Sequence, residues 1–319
     1  MAYPQPATLT GVAILDAVVP VAGLGTRLLP ATKALPKTML PIGRTPVAQL
    51  VVEELRRAGV ERVLFVTGRG ASPLEAHFAE DPELTRALQE GGREELLATL
   101  DFERSGGRFL YARQPRALGL GDALLCAEGF VRGPFHVALG DAVLDLGRSG
   151  SVAARLATAV ETTGAACALA VEEVERGDVS RYGIVAPVGE PEALSGGGTM
   201  LRVEDVVEKP RPEHAPSRLA VAARYVMSPA IFDALRRTTP SIDGEIQLAD
   251  ALRILLAEGA DIVAVPLEPG ERRHDVGTPA GYARAFLTWA LGDPELGPEL
   301  RDHARQLLEA PTPSPEGAP

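Results

Sequence analysis

The sequence predicts an α/β fold, a central mixed β-sheet flanked by helices, and three observations carry that prediction. Through the first half of the chain, short runs rich in Val, Ala and Leu alternate with helical segments, the pattern of parallel strands in a layered fold. In the second half the texture changes to strands separated by turns, "RYGIVAPVG", "MLRVEDVVEKP" and "LAVAARYVM", which makes the sheet mixed. Of the 319 residues 45% are hydrophobic, enough to bury a sizeable core.

The elements follow in order. The opening MAYPQPATLT is polar and Pro-containing, so a disordered N-terminus is expected over 1–15. A short strand at 17–22 is apolar and β-branched, too brief for a helix. Gly23 and Gly25 then allow a tight turn and a close backbone approach. Helical spacing runs from 46 to 58, with Pro at its start and Gly59 beyond its end. "RVLFVTG" at 62–68 is a strand, charged helical segments occupy 72–100, and "RFLYAR" at 108–113 is the next strand. A helix at 120–129 and a buried strand at 135–141, "FHVALGD", follow, then a helix at 149–163. After the strand "AACALAVEEV" and the three already quoted come helices at 229–237 and 246–258 and the strand "DIVAVPL". Helices at 279–291 and 298–310 complete the pattern. No linker separates two independent units, so one domain is expected over 16–292, with a C-terminal helix and Pro-rich tail over 293–319. The tail, "PTPSPEGAP", reads as disordered.

Charge narrows the function. The net charge is −11 and no dense basic stripe occurs, which argues against nucleic acid as a partner. Local positive charge inside an acidic protein points instead to a small anionic ligand. Cys126 and Cys167 sit in apolar stretches and suggest neither a disulfide framework nor a metal site. No apolar run has transmembrane length and no basic segment precedes the first apolar stretch, so the expected location is cytoplasmic, without membrane contact. Of the 32 basic residues only Lys33, Lys37 and Lys209 are lysine, the others being arginine. Lysines surviving such a bias are candidates for places that need a compact ammonium.

Two of the three lie in "PVAGLGTRLLPATKALPKTMLP" at 20–41. Glycines just after a strand commonly bring backbone N–H groups to a phosphate. Leu28 occupies the place of the third glycine of a dinucleotide fingerprint, and the chain contains no Gly-Lys pair for a Walker loop. What remains is a loop in which Arg27 can bind phosphate oxygens bidentately and Lys37 can act as a point charge. Gln114 offers both a donor and an acceptor, which reading a pyrimidine edge requires, although for this segment alone an exposed Gln beside a Gly-rich helix start is the favoured reading. Asp141 ends a buried strand, where open α/β sheets place ligands, and a carboxylate there can hold Mg²⁺ or merely form a turn. Glu208 and Lys209 alternate along a strand and would face opposite sides unless Pro210 bends the chain. Asp275, before Gly277 and a helix start, fits a turn or cap as well as a metal ligand.

Taken in order, "GLGTRLLPATKALPKTMLPI", "GLGDAL", "LGDAV", "YGIV", "VVEKP", "GEIQLADAL" and "HDVGTPAGY" resemble the bacterial UTP–glucose-1-phosphate uridylyltransferases and the related sugar-1-phosphate nucleotidyltransferases. The likeness covers about 17–290. It implies a Rossmann-like nucleotidyltransferase fold, UTP and glucose 1-phosphate as substrates, Mg²⁺ as cofactor and a homo-oligomer. It also implies nucleotide contacts at Ala22, Gly23, Gly25, Thr26, Gln114 and Gly119, and sugar contacts at Gly183, Glu208 and Lys209. Catalytic charge would come from Arg27, Lys37 and Lys209, and metal ligation from Asp141 and Asp275, with His274 orienting its neighbour. A thymidylyltransferase or another sugar-1-phosphate nucleotidyltransferase would keep the same phosphate residues, and a non-catalytic nucleotide-sugar-binding paralogue would be expected to lose them. Two positions depart from the pattern: Thr38 stands where relatives have Glu, and Asp122 where they have His, both near the expected base and phosphate regions.

Overall fold

The computed structural model describes residues 14–68, 73–104, 107–145 and 151–309. Its strands are β1 (Asp16–Pro20), β2 (Pro41–Ile42), β3 (Thr45–Pro46), β4 (Arg62–Thr67), β5 (Arg108–Arg113), β6 (Phe135–Ala138) and β7 (Ala142–Asp145), then β8 (Cys167–Glu173), β9 (Gly183–Ala193), β10 (Thr199–Glu208), β11 (Leu219–Met227), β12 (Ile262–Pro266) and β13 (Arg272–Asp275). Nine of them form one sheet in the order β5-β4-β1-β6-β11-β8-β12-β10-β9. The β5-β4-β1-β6 block is parallel, β11 runs against both β6 and β8, and β12 is parallel to β8. The mixed sheet expected from the change of texture is therefore present.

Period-two alternation splits the sheet into two faces. Ala17, Val19, Val63 and Phe65 pack with Val51, Val52 and Leu55 of the helix Val47–Arg57. Val18, Leu64 and Val66 face the other way, toward the helices Gly119–Leu125, Ala230–Arg237 and Leu248–Ala257. The helix Val152–Thr163 covers a third cluster on β8, β11 and β12, and Ile14 is buried in it. Asp16, which interrupts the first apolar stretch, is buried with a bidentate partner: Arg62 donates to its two oxygens at 2.6 and 2.8 Å. Of the disorder expected over 1–15, residues 1–13 lie outside the described residues, as does the tail beyond 309, whereas 14 and 15 are described and Ile14 is buried in the core.

Because β1, β4, β5 and β6 are parallel, the segments that follow them emerge at one sheet edge, the place open α/β sheets use for ligands. Three expectations along these segments need correction. The strand expected at 135–141 ends at Ala138 as β6; 139–141 form a turn, closed by Ala142 N–H on the Leu139 carbonyl at 3.2 Å, and β7, not expected, follows it. Leu139 extends the apolar run by one residue, while Gly140 and Asp141 are turn residues that belong to the break. A Cβ at Gly140 would come within 2.5 Å of Val21 Cγ1 and 3.2 Å of the Pro20 carbonyl oxygen, so the turn presses against the end of β1 as only glycine permits. The helix expected at 120–129 ends at Leu125 and continues as turns. Residues 26–39, expected only as a loop, form three short 3₁₀ turns, Thr26–Leu28, Ala31–Lys33 and Lys37–Met39.

Candidate active site

The turns after β1 bring the glycine loop and Lys37 together. Gly25 has φ +65° and its carbonyl accepts from Thr32 Oγ1 at 2.8 Å, which folds the loop back onto the following turn. A Cβ at Gly23 would lie 3.3 Å from Lys37 Nζ, and one at Gly25 would lie 3.5 Å from Lys37 Cβ. Ala22 is half-buried, while Thr26 and Arg27 are exposed at the rim. Lys37 Nζ is ion-paired with Asp141 Oδ2, although 104 positions separate them. Asp141 sits in the turn, three residues beyond the end of β6, rather than on the strand itself.

Asp275 reaches the same place through an antiparallel ribbon. β13 pairs with β7 so that Asp275 lies opposite Ala142, and Val276 N–H donates to the Asp141 carbonyl at 3.0 Å. Gly277 stands between the two carboxylates: its Cβ would be 3.1 Å from Asp275 Oδ1 and 3.5 Å from Asp141 Oδ2. Two carboxylates facing a cradle that a side chain would fill suit Mg²⁺, which takes one or two protein carboxylates and completes its shell with water and substrate phosphates. Among the described residues no third His, Cys, Asp or Glu joins them. His274 packs edge-on against Trp289 at 5.0 Å, and burial lowers its pKa.

A buried ion pair, unnoticed in the sequence, underlies this turn. Arg224 and Glu54 are 1% and 3% exposed, and Arg224 donates to Glu54 from Nε at 2.9 Å and Nη2 at 2.6 Å. Arg224 also donates to the carbonyls of Ala142 and Ala223 at 3.0 and 3.1 Å. Ala223 has φ +61° where β11 is irregular, and its carbonyl accepts from Leu139 N–H. Both sides of the Asp141 turn are thus tied to one guanidinium. A signal existed: Glu54 interrupts the apolar stripe of its helix and Arg224 an otherwise apolar strand, opposite charges in two buried positions.

Gln114 and Gly119 lie at the far side of the same edge, after β5. Gln114 is buried, its N–H bonds the Thr67 carbonyl, and its Nε2 donates to Asp122 Oδ2 at 2.8 Å and to the Gly119 carbonyl at 3.1 Å. The close approach that Gly119 and Gly121 permit is made by the "GEIQ" segment. A Cβ at Gly119 (φ +91°) would meet Glu245 Cβ at 2.9 Å, and one at Gly121 the Ile246 carbonyl oxygen at 2.8 Å. Gly121 N–H in fact bonds that carbonyl at 2.9 Å. Thr38 is not on this side. It is 1% exposed and its methyl would touch a Cβ at Gly140 at 3.3 Å, which puts it beside the Asp141 turn, and its hydroxyl bonds no described residue.

The residues expected to contact the sugar converge through an unusual backbone. Glu208 pairs with Gly183 across β10 and β9, and a Cβ at Gly183 would lie 3.2 Å from Glu208 Oε2. Lys209 has φ +45°, left-handed, and its N–H bonds the Tyr182 carbonyl at 3.0 Å. That reversal at the strand end returns its side chain to the Glu208 face, with Nζ 3.2 Å from Oε1, where regular alternation would have separated them. Arg273 stacks over the Tyr182 ring at 4.0 Å and pairs with Glu172, joining the sugar side to the ribbon that carries Asp275.

A family model described as nucleotidyl transferase matches residues 16–290. The chain belongs to this family. Similar to this nucleotidyl transferase is a UTP–glucose-1-phosphate uridylyltransferase of Streptococcus pyogenes, 40% identical over 93% of this chain and 95% of its own. Among solved structures, a UDP-glucose pyrophosphorylase from Acinetobacter baumannii superposes with a TM-score of 0.83 at 33% identity, covering 92% of this chain and 99% of that one. A UTP-bound form of the enzyme from the same organism gives 0.82 at 33% identity over 93% of this chain and 100% of that one. These neighbours bear out the nucleotidyltransferase fold. No described helix is long and apolar enough to cross a membrane.

Proposed function

We propose that this nucleotidyl transferase is a UTP–glucose-1-phosphate uridylyltransferase, giving UDP-glucose and pyrophosphate from UTP and α-D-glucose 1-phosphate. The observation that carries the reading is the convergence at one sheet edge of the glycine loop, Lys37, Asp141 and Asp275, in a chain 40% identical along nearly its whole length to a protein of that name. A phosphate monoester has a second pKa of about 6 and is largely dianionic at neutral pH, so its oxygen can attack without a general base. It forms a bond to the α-phosphorus of UTP in line, the bond to the β-phosphate oxygen breaks, and pyrophosphate leaves with the electron pair. The main obstacle is repulsion between two anions, which positioned charge relieves.

The residues divide that work. Backbone at Ala22, Gly23, Gly25 and Thr26 holds the triphosphate, with Arg27 and Lys37 supplying positive charge. Asp141 and Asp275 would hold Mg²⁺, which when bound neutralises triphosphate charge. Gln114 faces the base, Gly183 and Glu208 the glucose hydroxyls, and Lys209 the sugar phosphate. The Lys37–Asp141 pair supports this division, because each charge is kept by the other until substrate and cation arrive. A pyrophosphate-release assay with UTP, dTTP, CTP and ATP against several sugar 1-phosphates tests it. UTP with glucose 1-phosphate is the expected best pair. Preference for dTTP would make the chain a thymidylyltransferase, and no release with any pair would make it a binding protein.

A further inference from the structure

We propose that Asp122 sets base specificity by fixing the orientation of the Gln114 amide, so that the site accepts a pyrimidine carrying N3–H and rejects cytosine. The inference rests on the reading that Gln114 faces the base. A glutamine amide has two orientations that are nearly identical in shape and opposite in hydrogen bonding. Here the neighbours decide between them. The Asp122 carboxylate and the Gly119 carbonyl can only accept, and both lie against Nε2, at 2.8 and 3.1 Å. Turning the amide over would set Oε1 against two acceptors and lose both bonds. Gln114 is 5% exposed, so water has little room to compensate.

Asp122 is itself held. It lies in the first turn of the helix Gly119–Leu125, whose start is bonded to Ile246 at Gly121 N–H and packed on Glu245 at Gly119. With both amide protons engaged, Oε1 is the free edge of Gln114, and no described residue donates to it. Uracil and thymine present N3–H to such an acceptor. Cytosine presents an unprotonated N3, and the two lone pairs repel. A histidine at position 122 could donate or accept and would leave the amide free to turn, whereas an aspartate cannot.

The test compares Asp122→Ala and Asp122→Asn with wild type, measuring kcat and KM for UTP, dTTP and CTP, and equilibrium binding of UTP and CTP. Losing an acceptor bond to a charged group should lower the UTP/CTP ratio of kcat/KM by about tenfold or more. The change should appear in nucleotide KM and in binding, with the KM for glucose 1-phosphate unmoved and UTP/dTTP unchanged. Asn can donate as well as accept, so it lets the amide turn and should lower the ratio as Ala does. Equal loss of UTP and CTP with the ratio unchanged, or a wild-type ratio kept by Asn, would overturn the assignment. Wild type that binds UTP and CTP equally would overturn the base-facing role of Gln114 beneath it, and wild type that binds UTP selectively but releases no pyrophosphate would overturn only the proposed reaction.

Discussion

The two ends of the site are built in opposite ways. At the end proposed to face the base the donors are committed: Gln114 Nε2 to Asp122 and Gly119, Gly121 N–H to Ile246, Ile246 N–H to Leu118. At the end proposed for phosphate and sugar, charges are paired with one another and stand partly in solvent. Asp141 and Glu208 are each about a third exposed, Lys209 more than half, and Lys209 and Ala223 hold left-handed backbone. Selection needs donors and acceptors fixed before the ligand arrives. Phosphoryl transfer needs charges that can leave one another for the substrate, at a cost in strain met by rigid support below.

That support is where the largest effect is expected. Glu54→Ala leaves Arg224 buried and unpaired beneath the Asp141 turn, and losing one member of a buried pair costs about 3–5 kcal/mol. Urea denaturation reads it, and a loss below about 1 kcal/mol would mean that the turn stands without the pair. Next comes Asp141→Ala, which should keep the melting temperature while lowering kcat by about 10²–10³-fold. A purified variant with more than about a tenth of wild-type activity would remove Asp141 from the machinery.

Two glycine exchanges sharpen the contrast with smaller effects of opposite sign. Gly119→Ala puts a Cβ 2.9 Å from Glu245 Cβ at φ +91° and should cost roughly 2 kcal/mol, weakening nucleotide binding as well. If stability is unchanged, the base end is not the rigid one. Lys209→Gly removes a non-glycine residue from φ +45° and should raise stability by up to about 1 kcal/mol while reducing turnover with glucose 1-phosphate. A melting temperature that falls would show that no strain is stored there.

Much of the fold was legible because its signals are local. The strands at 108–113 and 219–227 match to the residue, since short β-branched or aromatic runs bounded by turns have few alternatives. The ribbon strand β13, Arg-Arg-His-Asp, carries no apolar signal and exists because β7 offers it a ladder. The end of β6 falls three residues before the expected one because the turn at Gly140 and Asp141 reads in sequence as the end of the strand rather than as its break. Of the site, residue types and the glycine loop could be read, while Thr38 showed its side only once Gly140 was seen against β1.

By itself the sequence determined the α/β class, the alternation of its elements, the acidic background against which three lysines stand out, and the set of residue types able to hold phosphate. Tertiary structure alone decided which of them meet. Lys37 with Asp141, Asp141 with Asp275 across Gly277, and Arg224 with Glu54 are 104, 134 and 170 positions apart. Strand order and ribbon pairing create these encounters. The physical reason is range: periodicity and turn chemistry act over a few residues, whereas two charges far apart in sequence become neighbours only when the sheet between them has formed.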